Sequence, residues 1–232
     1  YAFSDDKHDK VVYLPPTTES TILDKLNKKN TIYTVGWLFR NPVGLQKYHK
    51  QIKEYFLPKN DIVESCKKKI AQLYSTYDSV VGVHIRQGDY KEFYDGKYYV
   101  SPEQVVEILK DYLKEFNKKI DSTCFLICSD GKVDLDIFSN LNVVLNNGNE
   151  VEDLHSLSLC DIIIGSNSTF GAFASYYGNK CFFVLQKEGM DWEYYKDKSN
   201  YFENKYCSVP EPVESTLIQP IIVNTRCLVL DK

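Results

Sequence analysis

The sequence predicts an α/β protein with a Rossmann-like parallel sheet in its C-terminal part and a short, mostly helical N-terminal part. Three observations carry that prediction. From about Val80 onward, short apolar runs alternate with amphipathic stretches of helical period, the pattern of parallel strands joined by helical crossovers. Several of those runs end in polar or charged residues, as strands do where a parallel sheet meets a ligand. Before Val80 the apolar residues recur at helical spacing instead.

Taken in order, residues 1 to 35 give only short extended pieces, VVYLPP and TIYTVG. In GLQKYHKQIKEYF, the residues Leu45, Tyr48, Ile52, Tyr55 and Phe56 fall on one stripe of a helix. A second helix is expected to end near Tyr74, opened by a capping box from Asp61 to Glu64. The strand SVVGVHIR comes next. The helix that follows starts at Ser101: in SPEQVVEILKDYLKEF, Ser is the N-cap, Pro holds the first helical position and Gln stands at N3. Val105, Leu109, Tyr112 and Phe116 form its apolar face. STCFLICSD then reads as a second buried strand, LNVVLN as a third, and VEDLHSLSLC as a short helix feeding the strand DIIIG. A final helix, TFGAFASYYG, and strand, KCFFVL, complete the series. After Leu185 the chain is rich in Tyr, Asp, Glu and Lys and reads as irregular structure. The expected division places a short N-terminal part at residues 1–76 and a Rossmann-like domain with its tail at residues 77–232.

Composition excludes some functions. The formal net charge is −4 with both signs interspersed, which gives no broad cationic face for nucleic acid. No nucleic-acid partner is expected, and an anion site must be local. No apolar run approaches the length of a membrane helix, which leaves only peripheral association with a membrane open. The seven cysteines are scattered, mostly within apolar runs, and read as reduced, buried residues. With four histidines far apart in sequence, no metal site is expected. A cytoplasmic protein is the default reading, although the chain begins Tyr1-Ala2-Phe3 without Met, which is compatible with removal of an upstream segment.

The strand ends hold the chemistry. His84, Arg86, Gly88 and Asp89 follow the first strand, Asp130 the second, and Ser166, Asn167, Ser168 and Thr169 the DIIIG strand. Arg86 offers a planar fork for bidentate phosphate binding, and Gly88 permits close backbone approach beside it. Ser168 and Thr169 open a helix whose free amides favour an anion. Each piece also has a plainer reading: a surface ion pair for Arg86 and Asp89, an ordinary N-cap for Ser168, and a core histidine for His84. Their joint occurrence at one sheet edge favours a diphosphate cradle. Tyr90, Tyr94, Tyr98 and Tyr99 read equally as a platform for sugar rings or as cover for the domain edge.

HIRQGDY at 84–90, followed some 75 residues later by DLHSLSLCDIIIGSNSTFGAFAS, resembles the paired motifs of glycosyltransferase family 11, the alpha-1,2-fucosyltransferases. The alpha-1,6- and protein O-fucosyltransferases share the general pattern. GWLFRNPVGLQKYHKQIKEYF is similar to the stretch before the first motif, so the resemblance covers about residues 33 to 185. It implies a GT-B-type architecture and inverting transfer of L-fucose from GDP-fucose to a sugar hydroxyl of a glycan or surface polysaccharide, without a metal ion or other cofactor. The implied partners are a nucleotide-sugar donor and a glycan acceptor. Carried onto this chain, Arg86 binds the β-phosphate and stabilises the leaving GDP, and His84 positions Arg86 or touches the nucleotide. Gly88 and Asn167 belong to the same cradle. Ser168, Thr169 and Phe170 line the diphosphate and nucleoside, and Asp130 and Asp153 accept hydrogen bonds from ribose or guanine. Asp89 is the candidate for acceptor contact or general base. Three departures stand out: Gln87 where the family has a second arginine, Ala172-Phe173-Ala174 in place of a run with paired tryptophans, and no glycine-rich loop before Tyr1. They keep two alternatives in view, another nucleotide-sugar transferase or an inactive nucleotide-sugar binding homologue, in a truncated chain or one with a reduced acceptor domain.

Overall fold

The computed structural model describes residues 11–13, 45, 47–197 and 221–223. The chain divides into two compact units, residues 1–52 with 210–232, and Lys53–Val209. In the first unit, strand β1 (Val11–Tyr13) pairs antiparallel with β7 (Ile221–Val223), Val11 opposite Val223. The extended piece expected at VVYLPP is therefore present in part, and TIYTVG lies outside the described residues.

The second unit contains a five-stranded parallel sheet. Its strands are β2 (Ser79–Ile85), β3 (Thr123–Ser129), β4 (Val143–Leu145), β5 (Ile162–Gly165) and β6 (Cys181–Val184), in the order β4-β3-β2-β5-β6. The chain lays down β2, β3 and β4 in one direction, then returns to add β5 and β6 on the other side of β2. The order therefore reverses between β2 and β5, and that crevice is where doubly wound sheets bind ligands. This is the Rossmann-like half the sequence predicts.

Every residue of β2 is buried, and its side chains alternate between two helical layers. Val81, Val83 and Ile85 pack with Val105, Leu109 and Tyr112 of helix α3 (Pro102–Glu115). Val80 packs on the opposite face with Ile70 of helix α2 (Asn60–Tyr74), Leu126 and Cys160. Leu157 of helix α4 (Glu150–Leu159) and Ala174 of helix α5 (Thr169–Gly178) extend that second layer over Cys128, Ile163 and Phe182. Leu109, wholly buried, is a site where truncation to Ala costs about 2–5 kcal/mol.

Local chemistry explains most helix ends. Ser101 Oγ accepts from the Gln104 N–H while Gln104 Oε1 accepts from the Ser101 N–H, so the capping box read in SPEQ is complete. Asn149 and Glu152 form a second such box at the start of α4, a signal the sequence carries as Asn-x-x-Glu. The box expected from Asp61 to Glu64 does not form. Helix α2 begins two residues earlier, with Lys59 at the N-cap position and no side-chain cap. Helix α2 packs on the sheet and lies within the second compact unit, Lys53–Val209.

Two further expectations need correction. Helix α1 (His49–Tyr55) buries none of its side chains, and Tyr55 is 83% exposed, so the stripe on it is not a core stripe. The tail after Leu185 is not wholly irregular, since helix α6 (Trp192–Lys196) starts from Asp191, whose carboxylate accepts from the Tyr194 N–H. Tyr195 of α6 is anchored in the core, its hydroxyl accepting from the Val184 N–H at 2.9 Å. No described helix is long and apolar enough to cross a membrane. Cys66, Cys124, Cys128 and Cys160 are buried and form no disulfide among the described residues, and burial pushes the Cys124 thiol up to about 11. Cys207 and Cys227 lie outside the described residues.

Candidate active site

The ends of β2 and β5 are laced together. The Arg86 N–H donates to Ser166 Oγ at 2.9 Å, and the Tyr90 hydroxyl donates to the Asn167 carbonyl at 2.6 Å. Each bond joins the HIRQGDY loop to the SNST loop. The two segments face each other across the crevice where the strand order reverses.

Asp130, at the end of β3, organises the first of these loops. Its Oδ1 accepts from the Gln87 N–H at 2.7 Å and from the Gly88 N–H at 3.4 Å. A Cβ at position 88 would stand 3.0 Å from Asp130 Oδ2, a tight contact that the carboxylate would have to relieve by shifting a few tenths of an ångström. One oxygen of Asp130 is thus committed to shaping the loop, a task the sequence did not suggest. Gln87 is 8% exposed, and its Nε2 donates to the Lys132 carbonyl at 3.0 Å and Ser129 Oγ at 3.3 Å. The residue standing at the family's second arginine therefore knits the ends of β2 and β3 together.

Arg86 projects from this loop. Its Nε and Nη2 donate to the two Asp89 oxygens at 2.9 and 3.1 Å, and its guanidinium carbon lies 4.9 Å from the Tyr90 ring centre. The hydrogen bonds to Asp89 raise the Arg86 pKa further and hold the Asp89 carboxyl below its usual range. The plain reading of an ion pair is therefore correct, and it is compatible with a binding role. The pair is exposed, Arg86 by 35% and Asp89 by 58%, so a diphosphate with more charge can take the guanidinium over.

Opposite stands the N-terminus of α5. Ser168 adopts the extended N-cap backbone, yet its side chain makes no capping bond. The hydroxyl is buried and unpartnered among the described residues. Its neighbours in the first turn, Thr169, Phe170 and Gly171, add main-chain amides without intrahelical partners. This hydroxyl is one of several buried polar atoms without a described partner, and its place beside the free amides of a helix N-terminus is what fits an anion. Gly171 allows α5 to approach the sheet, because a Cβ there would meet Phe182 at 2.7 Å.

His84 lies beneath this helix start. It is 6% exposed, its ring centre is 4.9 Å from that of Phe170, and its Nδ1 has no described partner. Burial pushes the imidazole down to about 4, so it is neutral at physiological pH and offers a neutral donor or acceptor. No bond joins it to the Arg86 side chain among the described residues.

Asp153 sits in the first turn of α4, apart from the crevice. Asn146 donates to its Oδ1 at 2.6 Å, and Lys69 donates to Asn146 Oδ1 at 2.6 Å. Burial pushes its carboxyl up to about 6, against the opposing pull of Asn146 and Lys69. The structure thus brings Arg86, Gly88, Asp89, Asn167, Ser168 and Thr169 to one crevice, places His84 and Phe170 beneath its wall, and sets Asp130 and Asp153 toward the β3 and β4 side. Sequence reasoning missed Ser166 and Tyr90 as the residues that tie the loops.

No curated protein sequence matches the chain. Among solved structures, POFUT1 in complex with GDP is similar with a TM-score of 0.48 and 14% identity, over 69% of this chain and 56% of that one. NodZ alpha-1,6-fucosyltransferase soaked with GDP-fucose is similar with a TM-score of 0.39 and 14% identity, over 70% and 64%. A further match is the fucosyltransferase NodZ from Bradyrhizobium, with a TM-score of 0.39 and 13% identity, over 73% and 66%. The chain therefore spans little more than half the length of the POFUT1 chain it matches. The sequence profile of glycosyl transferase family 11 matches residues 23–207, which takes in both motifs and all of the sheet; the chain belongs to that family.

Proposed function

We propose that this chain binds GDP-fucose at the crevice between β2 and β5 and transfers L-fucose to a sugar hydroxyl of a glycan or surface polysaccharide, with inversion. The observation that carries the proposal is the pairing of a forked cation, Arg86, with a helix start whose Ser168 hydroxyl is buried and unused. Family membership supports glycosyl transfer, and the paired motifs support fucose as the sugar and guanine as the base.

In this reading the acceptor oxygen attacks the anomeric carbon while the bond from that carbon to the β-phosphate oxygen breaks. Negative charge develops on the departing diphosphate. Arg86 and the α5 amides, fixed before the reaction, stabilise that charge, which is the most effective electrostatic arrangement available to an enzyme. They also supply the counter-charge that a metal ion provides elsewhere, so no cofactor is invoked. The proton of the acceptor hydroxyl must leave. Asp89 is the candidate to receive it, and its pairing with Arg86 makes it a weak base until the diphosphate draws Arg86 away. Asp153, with its raised pKa, is assigned to the nucleoside side together with Asp130, and Phe170 to the nucleoside wall. Unpaired buried thiols support a reducing, cytoplasmic setting.

The direct test is release of GDP from GDP-fucose in the presence of glycan acceptors, with Arg86→Ala as the control. That variant is expected to lose on the order of 100-fold or more in turnover. Near-normal turnover would remove Arg86 from the role.

A further inference from the structure

The chain between Asp89 and Val100 does more than join β2 to α3. A short 3-10 turn at Asp89–Lys91 is followed by three successive residues with positive φ, Tyr94 at 49°, Asp95 at 55° and Gly96 at 71°. Left-handed backbone costs free energy in any residue with a Cβ, and most in a bulky one. The turn is nonetheless closed by its own hydrogen bonds, Asp95 N–H to the Glu92 carbonyl at 3.1 Å and Lys97 N–H to the Tyr94 carbonyl at 3.1 Å. Its effect is to turn aromatic rings outward. Tyr94 is 68% exposed and Phe93 36% exposed, so the Tyr94 ring covers little of the core in return for that cost.

These rings form one connected platform. Phe93 stacks on Tyr90 with ring centres 5.7 Å apart and planes within 14°, and Tyr94 stands edge-on to Phe93 at 4.6 Å. Tyr98 closes the group, 6.1 Å from Tyr94 and 6.2 Å from Phe93. The platform is continuous with the donor crevice, because Tyr90 carries the Arg86 guanidinium on its ring and ties its hydroxyl to Asn167.

We infer that the Phe93–Tyr94–Tyr98 face is the docking platform for the acceptor, a neutral pyranose whose apolar C–H face lies on the rings. This rests on the function proposed above. Pyranoses present C–H faces to aromatic rings and hydroxyls to a polar rim, and ammonium donors flank this face, with Lys97 held 5.5 Å over the Tyr98 ring and Lys91 5.6 Å over that of Tyr99. Charge decides against other occupants. From Arg86 to Tyr99 the cations Arg86, Lys91 and Lys97 balance the anions Asp89, Glu92 and Asp95, so the segment attracts neither an anionic membrane nor an acidic ligand.

The test is saturation-transfer NMR on the full chain, with and without saturating GDP, using lactose, cellobiose and maltose as probes. The expected result is saturation of ring protons of at least one sugar. In the double variant Phe93→Ser with Tyr94→Ser, that signal should fall by roughly fivefold or more, the scale of lost aromatic contacts. Tyr94→Trp should keep it, and calorimetric GDP affinity should not change. The inference is overturned if no sugar binds the natural chain, if the double variant binds sugar as well as the natural chain, or if the rings instead support binding to phosphatidylglycerol vesicles. Ring-dependent sugar binding without any GDP binding would leave the platform standing and remove the donor assignment instead.

Discussion

Arg86 and Asp89 face each other as a fork against a fork, Nε to Oδ1 at 2.9 Å and Nη2 to Oδ2 at 3.1 Å. Three residues apart on the loop after β2, they form a bidentate pair of the kind a phosphate would make with the same guanidinium. In the proposed function a bound diphosphate displaces that carboxylate before it uses both arms of the guanidinium.

Replacing Asp89 by Asn removes this competition. GDP is expected to bind up to about fivefold more tightly to Asp89→Asn, the scale of an exposed ion pair. Turnover should fall at the same time if Asp89 receives the acceptor proton. Calorimetric GDP titration beside a turnover assay separates the two effects, and weaker GDP binding would show that Asp89 orients Arg86 instead of competing for it.

Ser168 and Thr169 give a contrast between stability and binding. The Ser168 hydroxyl is buried with no described partner, so Ser168→Ala should leave the unliganded protein as stable or slightly more stable. GDP binding should weaken by about 1 kcal/mol in Ser168→Ala and in Thr169→Ala, as for one lost neutral hydrogen bond. Thermal unfolding with and without GDP checks this, and an unchanged ligand-induced rise in Tm would place the hydroxyls outside the site.

The pH dependence has two opposed parts. Asp153 is raised from 3.8 to about 6, so the folded state holds its proton where the unfolded chain has released it. Its contribution favours folding below about pH 4 and is lost as pH rises through about 6. His84 is lowered from 6.5 to about 4, so its contribution is present above pH 6.5 and lost as pH falls toward 4. The Tm difference between Asp153→Asn and the natural chain cancels the His84 part. Asp153→Asn is expected to unfold at a higher temperature at pH 8 and to show no such gain at pH 4; a gain of equal size at both values would contradict a raised Asp153.

Charge and geometry at position 86 can also be separated. Arg86→Lys keeps a cation but loses the planar fork, so its turnover should lie between those of the natural chain and Arg86→Ala. Chelation of divalent cations with EDTA should leave all three unchanged. A loss of activity on chelation would assign the counter-charge to a metal.

Much of the sheet was legible because buried parallel strands and amphipathic crossovers leave strong local patterns, from SVVGVHIR to KCFFVL. The SPEQ box was legible for the same reason, since all its atoms lie within four residues. What sequence did not show was tertiary. Tyr90 finds Asn167 across 77 positions, and Asp130 reaches back 43 positions to the Gln87 amide, and no local pattern encodes either. Gln87 looked like a missing charge and is a buried link between strand ends. Two local signals were present and unused, Asn149 with Glu152 and Asp191 before Trp192, both ordinary N-terminal caps.

In the proposed function the Arg86 fork and the α5 N-terminus together hold a guanosine diphosphate. Calorimetric titration of the natural chain and of Arg86→Ala with GDP, GDP-fucose and UDP, without added metal, tests it most directly. Binding on the order of micromolar is expected for both guanine nucleotides, with much weaker binding of UDP and loss of GDP binding in Arg86→Ala. No binding of any nucleotide to the natural chain, or equal GDP binding by the two proteins, would contradict it.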